Sequence, residues 1–370
     1  MNSQQLRVII SGGGTGGHIF PAIAIANTLK KNVDDCAILF VGALGKMEME
    51  KVPANGYEIK GLWISGLQRK LTLKNLSFPF KVISSLWKAK RIIKEFNPGI
   101  VVGVGGFASG PTLRAATSLK IPALIQEQNS YPGITNKILS KKVERICVAY
   151  DGMEKFFPKG KIVKTGNPIR NEMVEIEGLK DEAIRFFDLK EGKKTLLIVG
   201  GSLGALSVNK SIHQHLGLLA ENGLQLIWQT GNYYYETAKA EDGENVRVIK
   251  FINKMNMAYA AADIIVSRAG AIAISEICAV QKPTVFVPLP SAAEDHQTKN
   301  ARALVDKNAA LLVKDSEVSE KLGDVVVRLL RDAERQKLFA ENLGKLAIRD
   351  AADRIVNEIL KLNNQTYNEK

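Results

Sequence analysis

The residues best suited to chemistry in this 370-residue chain sit directly behind short apolar runs. The run at 8–10 is stopped by the stretch 11–17, which contains Gly12-x-Gly14-x-x-Gly17 and leads into His18. Glycines let a backbone approach an oxyanion, and a helix start supplies N–H groups and partial positive charge. Three further loops share the pattern: VGGFASGP (104–111) with Gly105, Gly106 and Ser109, GGSLGA (200–205) with Ser202, and SRAGAIAISE (267–276) with Gly270. Any one of them is compatible with a plain tight turn between a strand and a helix. Four of them, at the carboxyl ends of strands, point to ligand binding, because open α/β sheets hold ligands at that edge. The first loop also has the context of a dinucleotide fingerprint. That reading requires an acid at the end of the second strand. The chain has Val41-Gly42-Ala43-Leu44 there, and Glu48 and Glu50 come only later.

His18 follows the first glycine loop, where a titratable imidazole could serve as a base. Glu276 falls about one turn into a helix expected over 271–280, placed to accept the two vicinal hydroxyls of a ribose; a capping or solvated glutamate is the alternative. Asp295, His296, Gln297 and Asn300 suit sugar hydroxyls. His213 and His215 are two apart on a helix, so they do not face each other, and both are expected at the surface. Cys36, Cys147 and Cys278 are far apart with no CxxC, which suggests neither a zinc site nor a disulfide framework and fits a reducing cytoplasm. There is no Asp-x-Asp, so a carboxylate-held divalent metal on a diphosphate is not indicated. No metal and no cofactor are expected, and helix termini must neutralise a leaving phosphate.

The elements that position these groups follow a βα rhythm. Strands are expected at 8–10, 37–41, 99–104, 123–126 and 145–149, then at 195–199, 225–229, 247–251, 263–266 and 284–287. Amphipathic segments separate them, which implies parallel sheets with helices on both faces. VIISGGGTGGH (8–18) and LLIVGGSLGA (196–205) echo each other, as two tandem α/β domains would. Their boundary is expected near TGNPIRNE (165–172), giving 1–167, 168–345 and a terminal segment 346–370. Residues 340–362 have helical apolar spacing and are expected as one helix returning to the first domain, with 363–370 as a frayed tail.

Composition narrows the function classes. Hydrophobic residues are 45% and charged residues 24%, which excludes disordered, collagen-like and disulfide-stapled chains. Residues 1–170 hold 25 basic and 10 acidic residues, against 26 and 28 in residues 171–370. The first half should therefore face something anionic. Within it, 67–94 holds eight basic residues and no acid, among them Lys74, Lys81 and Lys88, interleaved with Phe78, Phe80 and Trp87. Apolar residues ringed by lysines suit an anionic membrane surface; a helix covering the sheet with its polar face in water is the alternative. The chain lacks RRM, KH and helix-turn-helix patterns, so no nucleic-acid partner is expected. The first 14 residues lack the apolar core of a signal peptide. No stretch is long and apolar enough to span a bilayer.

Taken together, SGGGTGGHIFPAIAIA (11–26), GVGGFASGP (103–111), IQEQNSYPGITNK (125–137), TGNPIR (165–170), GGSLGA (200–205), SRAGAIAISEI (267–277) and DHQTKNA (295–301) resemble the MurG family. That family comprises the bacterial UDP-N-acetylglucosamine transferases that make lipid II of peptidoglycan. The resemblance implies an α/β fold of GT-B architecture, two Rossmann-like doubly wound domains facing across a cleft. It implies an inverting transfer of N-acetylglucosamine to the 4-hydroxyl of the muramyl sugar of lipid I, at the cytoplasmic face of an anionic membrane. It places Thr15, Gly16 and Gly17 near the donor, Asn129 on the donor sugar, and Arg170 and Ser202 near the diphosphate. Ile252 would bind uracil through its backbone. Ala271, Ile272, Ala273, Ile274, Ser275 and Glu276 would hold diphosphate and ribose, and Gln297 or His296 the sugar. Gly105, Gly106 and Ser109 form the acceptor phosphate loop. His18 is the first candidate for the base and Glu127 the second. The competing readings are another GT-B transferase or epimerase using a UDP-sugar, and a basic surface-binding module without activity.

Overall fold

A computed structural model describes residues 5–65, 78–173, 175–201 and 203–368. The chain divides into two compact units, residues 1–170 together with 350–370, and residues 171–349. The first unit carries 28 basic against 14 acidic residues and the second 23 against 24, so the charge asymmetry of the sequence belongs to the units themselves.

In the first unit, among the described residues, seven parallel strands form one sheet in the order β3-β2-β1-β4-β5-β6-β7. They are β1 (Leu6–Gly12), β2 (Cys36–Ala43), β3 (Glu58–Leu62), β4 (Ile100–Gly105), β5 (Ala123–Glu127), β6 (Arg145–Val148) and β7 (Ile162–Lys164). The intervening helices are α1 (Gly16–Asn32), α2 (Glu48–Ala54), α3 (Phe78–Phe96), α4 (Ser109–Ser118) and α5 (Ile134–Leu139). A strand buried on both faces reads as an unbroken apolar run, and β1 shows why. Ile9 faces a layer with Val101, Ile125, Ile93 of α3 and Leu113 of α4. Val8 and Ile10, one residue to either side, face Ile23 and Ile25 of α1.

The second unit repeats the plan with six parallel strands in the order β10-β9-β8-β11-β12-β13. These are β8 (Lys194–Val199), β9 (Leu224–Gln229), β10 (Val246–Ile249), β11 (Ile264–Ser267), β12 (Thr284–Phe286) and β13 (Leu311–Leu312). Its helices are α6 (Lys180–Phe186), α7 (Leu206–Glu221), α8 (Asn232–Ala238), α9 (Met255–Ala261), α10 (Ala271–Val280), α11 (His296–Val305), α12 (Val318–Arg331) and α13 (Ala333–Leu346). Leu197 and Ile265 pack with Ile274 and Ile277 of α10, and Leu196 and Ile198 pack with Val208 and Ile212 of α7. In each unit the strand order reverses beside the central strand, between β1 and β4 and between β8 and β11. That switch point opens a crevice at the carboxyl ends of the strands.

The chain's last segment departs from the single helix expected over 340–362. It is two helices, α13 and α14 (Ala351–Asn368), broken at 347–350. Apolar spacing alone does not register that break, because both helices are amphipathic. Arg349 is drawn to the second unit, where its guanidinium donates to Ala279 O at 2.9 Å. From Ala351 onward the chain belongs to the first unit: Ile355, Val356, Ile359 and Leu362 complete the layer of Val8 and Ile10. Asn32 Nδ2 donates to Asp353 Oδ1 at 3.0 Å, fastening α14 to the end of α1. The helix runs on through Asn368, so residues 363–368 are not a frayed tail.

Candidate active site

The first switch point joins two glycine loops. Gly13 N donates to Gly105 O at 3.3 Å, linking the loop after β1 to the loop after β4. Gly106 adopts φ +85, and a Cβ there would overlap the Gly13 carbonyl oxygen, so only glycine lets the two backbones meet. Thr15 is the exposed N-cap of α1, and Gly16 and Gly17 form its first turn. His18 stands in that turn, half-buried, with Nδ1 3.0 Å from Gly13 O and 3.4 Å from Thr15 Oγ1. A carbonyl oxygen only accepts, so in the neutral ring Nδ1 carries the proton and Nε2 presents its lone pair. Gly105, with no side chain, lies against the Cδ2–Nε2 edge of the ring. Ser109 begins α4 with its side chain fully buried over Gly103.

Beside this point lies the stretch after β5. Glu127 is 2% exposed, and its two oxygens accept four hydrogen bonds. Oε1 takes Asn129 N (3.0 Å) and Asn129 Nδ2 (3.2 Å); Oε2 takes Gly133 N (3.2 Å) and Asn136 Nδ2 (2.8 Å). The carboxylate thus shapes the turn that presents Asn129. Gln126, Gln128 and Asn167, all buried, knit this turn to the chain beyond β7: Gln126 Nε2 donates to Asn167 Oδ1 at 3.0 Å and Asn167 Nδ2 to Gln128 O at 3.1 Å. Sequence reasoning missed this cross-link, because amides give no periodic signal. Three residues further, the Arg170 guanidinium lies 5.5 Å from the centre of the Phe20 ring.

In the second unit, the loop at 267–270 leads into α10, with Gly270 at its N-cap. Glu276 is 7% exposed and accepts the Tyr259 hydroxyl at 3.1 Å, so it is neither a solvated nor a capping residue. Ala271, Ile272, Ala273, Ile274 and Ser275 form the preceding turns, and Ser275 Oγ donates back to Ala271 O at 3.0 Å. Arg268 clamps the loop from behind: its guanidinium donates to Val287 O (3.1 Å), Pro288 O (3.2 Å), Asp315 Oδ1 (2.5 Å) and Ser207 Oγ (3.1 Å). Nothing in the local sequence marks Arg268, since its partners come from three other segments. Ile252 is buried in the loop after β10. At the start of α11, Gln297 Oε1 accepts Leu289 N at 2.9 Å, and His296 is half-buried beside it. Ser202 lies outside the described residues, while Gln229 Nε2 holds the neighbouring Gly201 O at 2.9 Å. His213 and His215, expected at the surface, are half-buried on α7. His215 Nδ1 is 2.7 Å from Ser211 O, and His213 Nε2 is 3.3 Å from Glu241.

The basic apolar segment is α3. Its inner face buries Ser85, Ala89, Ile92 and Ile93. Phe80, Ile83 and Trp87, at helical spacing on another face, are 69%, 61% and 79% exposed. Three large apolar side chains aligned in water at one face are more than a covering helix requires. Lys88 is exposed beside Trp87, whereas Lys81 is half-buried, its Nζ 3.0 Å from Ser65 Oγ and above the Trp63 ring. Lys74 lies outside the described residues. An open groove of about 740 Å³ runs between α3 and α4, lined by Ile83, Leu86, Trp87, Lys90, Lys94 and Arg114 among others. No helix among the described residues is long and apolar enough to cross a membrane.

Comparison with known proteins follows the same division. Residues 8–148 match the glycosyltransferase family 28 N-terminal domain and residues 195–355 the C-terminal domain. A relative from Flavobacterium psychrophilum is 52% identical over 97% of this chain and 98% of its own. One from Cytophaga hutchinsonii is 54% identical over 97% of each chain. Both are named UDP-N-acetylglucosamine--N-acetylmuramyl-(pentapeptide) pyrophosphoryl-undecaprenol N-acetylglucosamine transferase. The crystal structure of Acinetobacter baumannii MurG superposes with a TM-score of 0.75 at 32% identity, over 96% of this chain and 99% of that one. A UDP-GlcNAc 2-epimerase from Neisseria meningitidis, at 16% identity and a TM-score of 0.68 over 97% of this chain and all of its own, shares the fold alone. End-to-end identity above one half, both domain matches and the shared architecture agree, and the chain belongs to the MurG family of glycosyltransferases.

Proposed function

We propose that this protein transfers N-acetylglucosamine from UDP-N-acetylglucosamine to the 4-hydroxyl of the muramyl sugar of lipid I, giving lipid II. Relatives named for this reaction over nearly their whole length support the reading. The observation that carries the mechanism is His18 Nδ1 on the Gly13 carbonyl, which in the neutral ring makes Nε2 the basic nitrogen. The acceptor hydroxyl attacks C1 of the sugar, the C1–O bond to UDP breaks, and the hydroxyl proton passes to Nε2. One displacement inverts the configuration at C1. The leaving diphosphate gains charge as the bond breaks, and N–H groups at the start of α10 suit it.

The remaining roles are part of the same proposal. Glu276 takes the ribose hydroxyls. Ala271–Ser275, Arg170 and Ser202 serve the diphosphate, and the backbone of Ile252 serves uracil. Asn129, Gln297 and His296 serve the sugar, with Thr15, Gly16 and Gly17 beside the donor. Gly105, Gly106 and the helix start at Ser109, whose side chain is buried, receive the acceptor phosphates. Glu127 is a positioning residue rather than a second base, because its lone pairs are already engaged by four N–H groups. The protein works peripherally at an anionic inner-leaflet surface on the cytoplasmic side, with Phe80, Ile83, Trp87 and the cations of α3 as the contact. The acceptor's undecaprenyl chain requires such a visit.

The test is transfer of labelled sugar from UDP-N-acetylglucosamine to a lipid I analogue, with wild type and His18→Ala compared. Loss of a general base costs ~10²–10⁴-fold in kcat, with donor affinity little changed. Turnover within a few-fold of wild type would remove His18 from the mechanism. Epimerisation of the donor without transfer would remove the transferase reading altogether.

A further inference from the structure

The loop that carries His18 rests on a side chain whose position in sequence suggested nothing. Glu48 begins α2, just after β2, the strand that neighbours β1, and is 1% exposed. Its Oε2 accepts the N–H of Gly14 at 2.8 Å, and its Oε1 accepts the N–H of Ala43 at 3.0 Å. The N–H of Gly14 and the carbonyl of Gly13 belong to one peptide group. That same carbonyl accepts His18 Nδ1 at 3.0 Å. A single peptide therefore joins a buried carboxylate to the imidazole. The space for it is made by two glycines: a Cβ on Gly13 would overlap the Glu48 carboxylate, and one on Gly42 would lie 2.6 Å from Glu48 Cγ.

We propose that Glu48 is a positioning residue for the transfer reaction. Through the Gly13–Gly14 peptide it holds His18 in the Nδ1–H form and strengthens Nε2 as a proton acceptor. The proposal rests on the reading of His18 as the base. A carboxylate bonded to a peptide N–H draws that hydrogen toward itself and leaves more negative charge on the peptide carbonyl. Hydrogen bonds in such a chain strengthen one another by about 10–30% each. A stronger acceptor at Nδ1–H stabilises the imidazolium that forms as Nε2 takes the proton, the service a carboxylate gives directly in hydrolase triads. Here the carboxylate stands one peptide further away, and no proton reaches it. Its second bond, from Ala43 N at the end of β2, ties the relay to the sheet, so loop and imidazole are held by a rigid element.

The ring tautomer is read directly from long-range ¹H–¹⁵N correlations on histidine-labelled protein, with His18 identified by its absence from the His18→Ala spectrum. In the unsubstituted protein the neutral His18 ring is in the Nδ1–H form. In Glu48→Gln one of the two backbone N–H groups must face the amide NH₂. The preference for the Nδ1–H form is then lost, and kcat falls by roughly tenfold to a hundredfold, at or below the ~10²–10⁴ of losing the base itself. The donor KM stays within about twofold, because the lost effect belongs to the chemical step. Glu48→Asp keeps the charge and withdraws it by one methylene. It moves both readouts the same way by less, and it decides the matter if Glu48→Gln does not fold. An Nε2–H ring in the unsubstituted protein overturns the proposal. So does an unchanged tautomer with unchanged kcat in the Glu48 variants while His18→Ala is inactive. Wild-type turnover in His18→Ala would instead fault the base assignment, and the tautomer would still decide the relay.

Discussion

Replacing Gly106 by alanine tests whether the two loops of the first unit work as one body. Gly106 has φ +85, and an alanine Cβ would overlap Gly13 O and lie 2.9 Å from Gly13 N. The neighbour is backbone on both counts, so it cannot swing aside. Left-handed φ costs a non-glycine residue ~1–2 kcal/mol. Forcing an extra carbon into packed structure adds ~1–3 kcal/mol, for a total of about 2–5 kcal/mol. Gly56 is the matched control: its φ is +80, but no atom lies within 4 Å of where its Cβ would stand. Gly56→Ala therefore pays only the backbone part, ~1–2 kcal/mol. At roughly 2–4 °C per kcal/mol for a unit of this size, calorimetry should show Gly106→Ala melting several degrees below Gly56→Ala. Turnover separates them further. Gly106→Ala displaces the carbonyl that orients His18 and loses activity, while Gly56→Ala keeps it. Equal melting temperatures and equal turnover in the two variants would refute the interlocked-loop account.

Three other outcomes follow from particular contacts. Glu276→Ala should weaken UDP binding by about 10- to 150-fold in calorimetric titration, the effect of losing a charge-assisted hydrogen bond of ~1.5–3 kcal/mol; unchanged affinity would remove the ribose role. At Asp263, burial pushes the carboxyl up, but hydrogen bonds from Lys180 and Thr195 N and the charge of Lys194 outweigh it and hold the group below its ordinary value. A lowered folded value means its stabilisation is full above the unfolded value of about 4 and disappears as pH falls through the folded one. Asp263→Asn should thus destabilise at neutral pH and flatten the acid loss of melting temperature, and parallel pH profiles would contradict this. On α3, reversing Lys88, Lys90 and Lys94 to glutamate should weaken binding to anionic vesicles by ~1 kcal/mol or more per residue, mostly at low salt, with UDP affinity unchanged. Equal binding of the triple variant would make this ordinary surface.

The central strands were legible and three of the four edge strands were not, for one physical reason; the fourth, β10, keeps Val246, Val248 and Ile249 and was expected. β1, β4, β5, β8 and β11 are buried on both faces and read as continuous apolar runs. β3, β7 and β13 lie at sheet edges, where Glu58, Lys60 and Lys164 replace apolar residues and β13 is only two residues long. Such edges carry charge and stay short, so they leave no periodic trace. The site divides in the same manner. Glycine loops announce themselves, because their residue type is dictated by local backbone. The side chains that hold those loops, Glu48, Gln128, Asn167 and Arg268, are chosen in part by partners far off in chain, as in Gln128 to Val104, 24 residues away, and Arg268 to Asp315, 47 away. Glu48 was visible only as an acid in the wrong place for a ribose.

The two units solve one problem with opposite groups. Each has two glycine-bearing loops at its switch point, and each loop must be held from behind without covering its front. In the first unit the group that holds the loop after β1 is a carboxylate, Glu48, which takes backbone N–H groups, as Glu127 does in the turn after β5. Occupied N–H groups are withdrawn from competition for an anion, and the carbonyl of the Gly13–Gly14 peptide is turned toward His18. That suits a loop whose task is to orient a base. In the second unit the holding group is a guanidinium, Arg268, and it takes the carbonyls of Val287 and Pro288. Those carbonyls belong to the segment after β12, so Arg268 braces its own loop while the N–H groups at the start of α10 stay as that loop's offering, which suits the diphosphate role proposed for it. The sign of the buried group thus follows the chemistry proposed for each loop. Exchanging Arg268 for a neutral residue should then cost donor affinity before it costs turnover at saturating donor, while Glu48→Gln should do the reverse. Both variants losing donor affinity alone would show that the loops are braced for stability and not sorted by task.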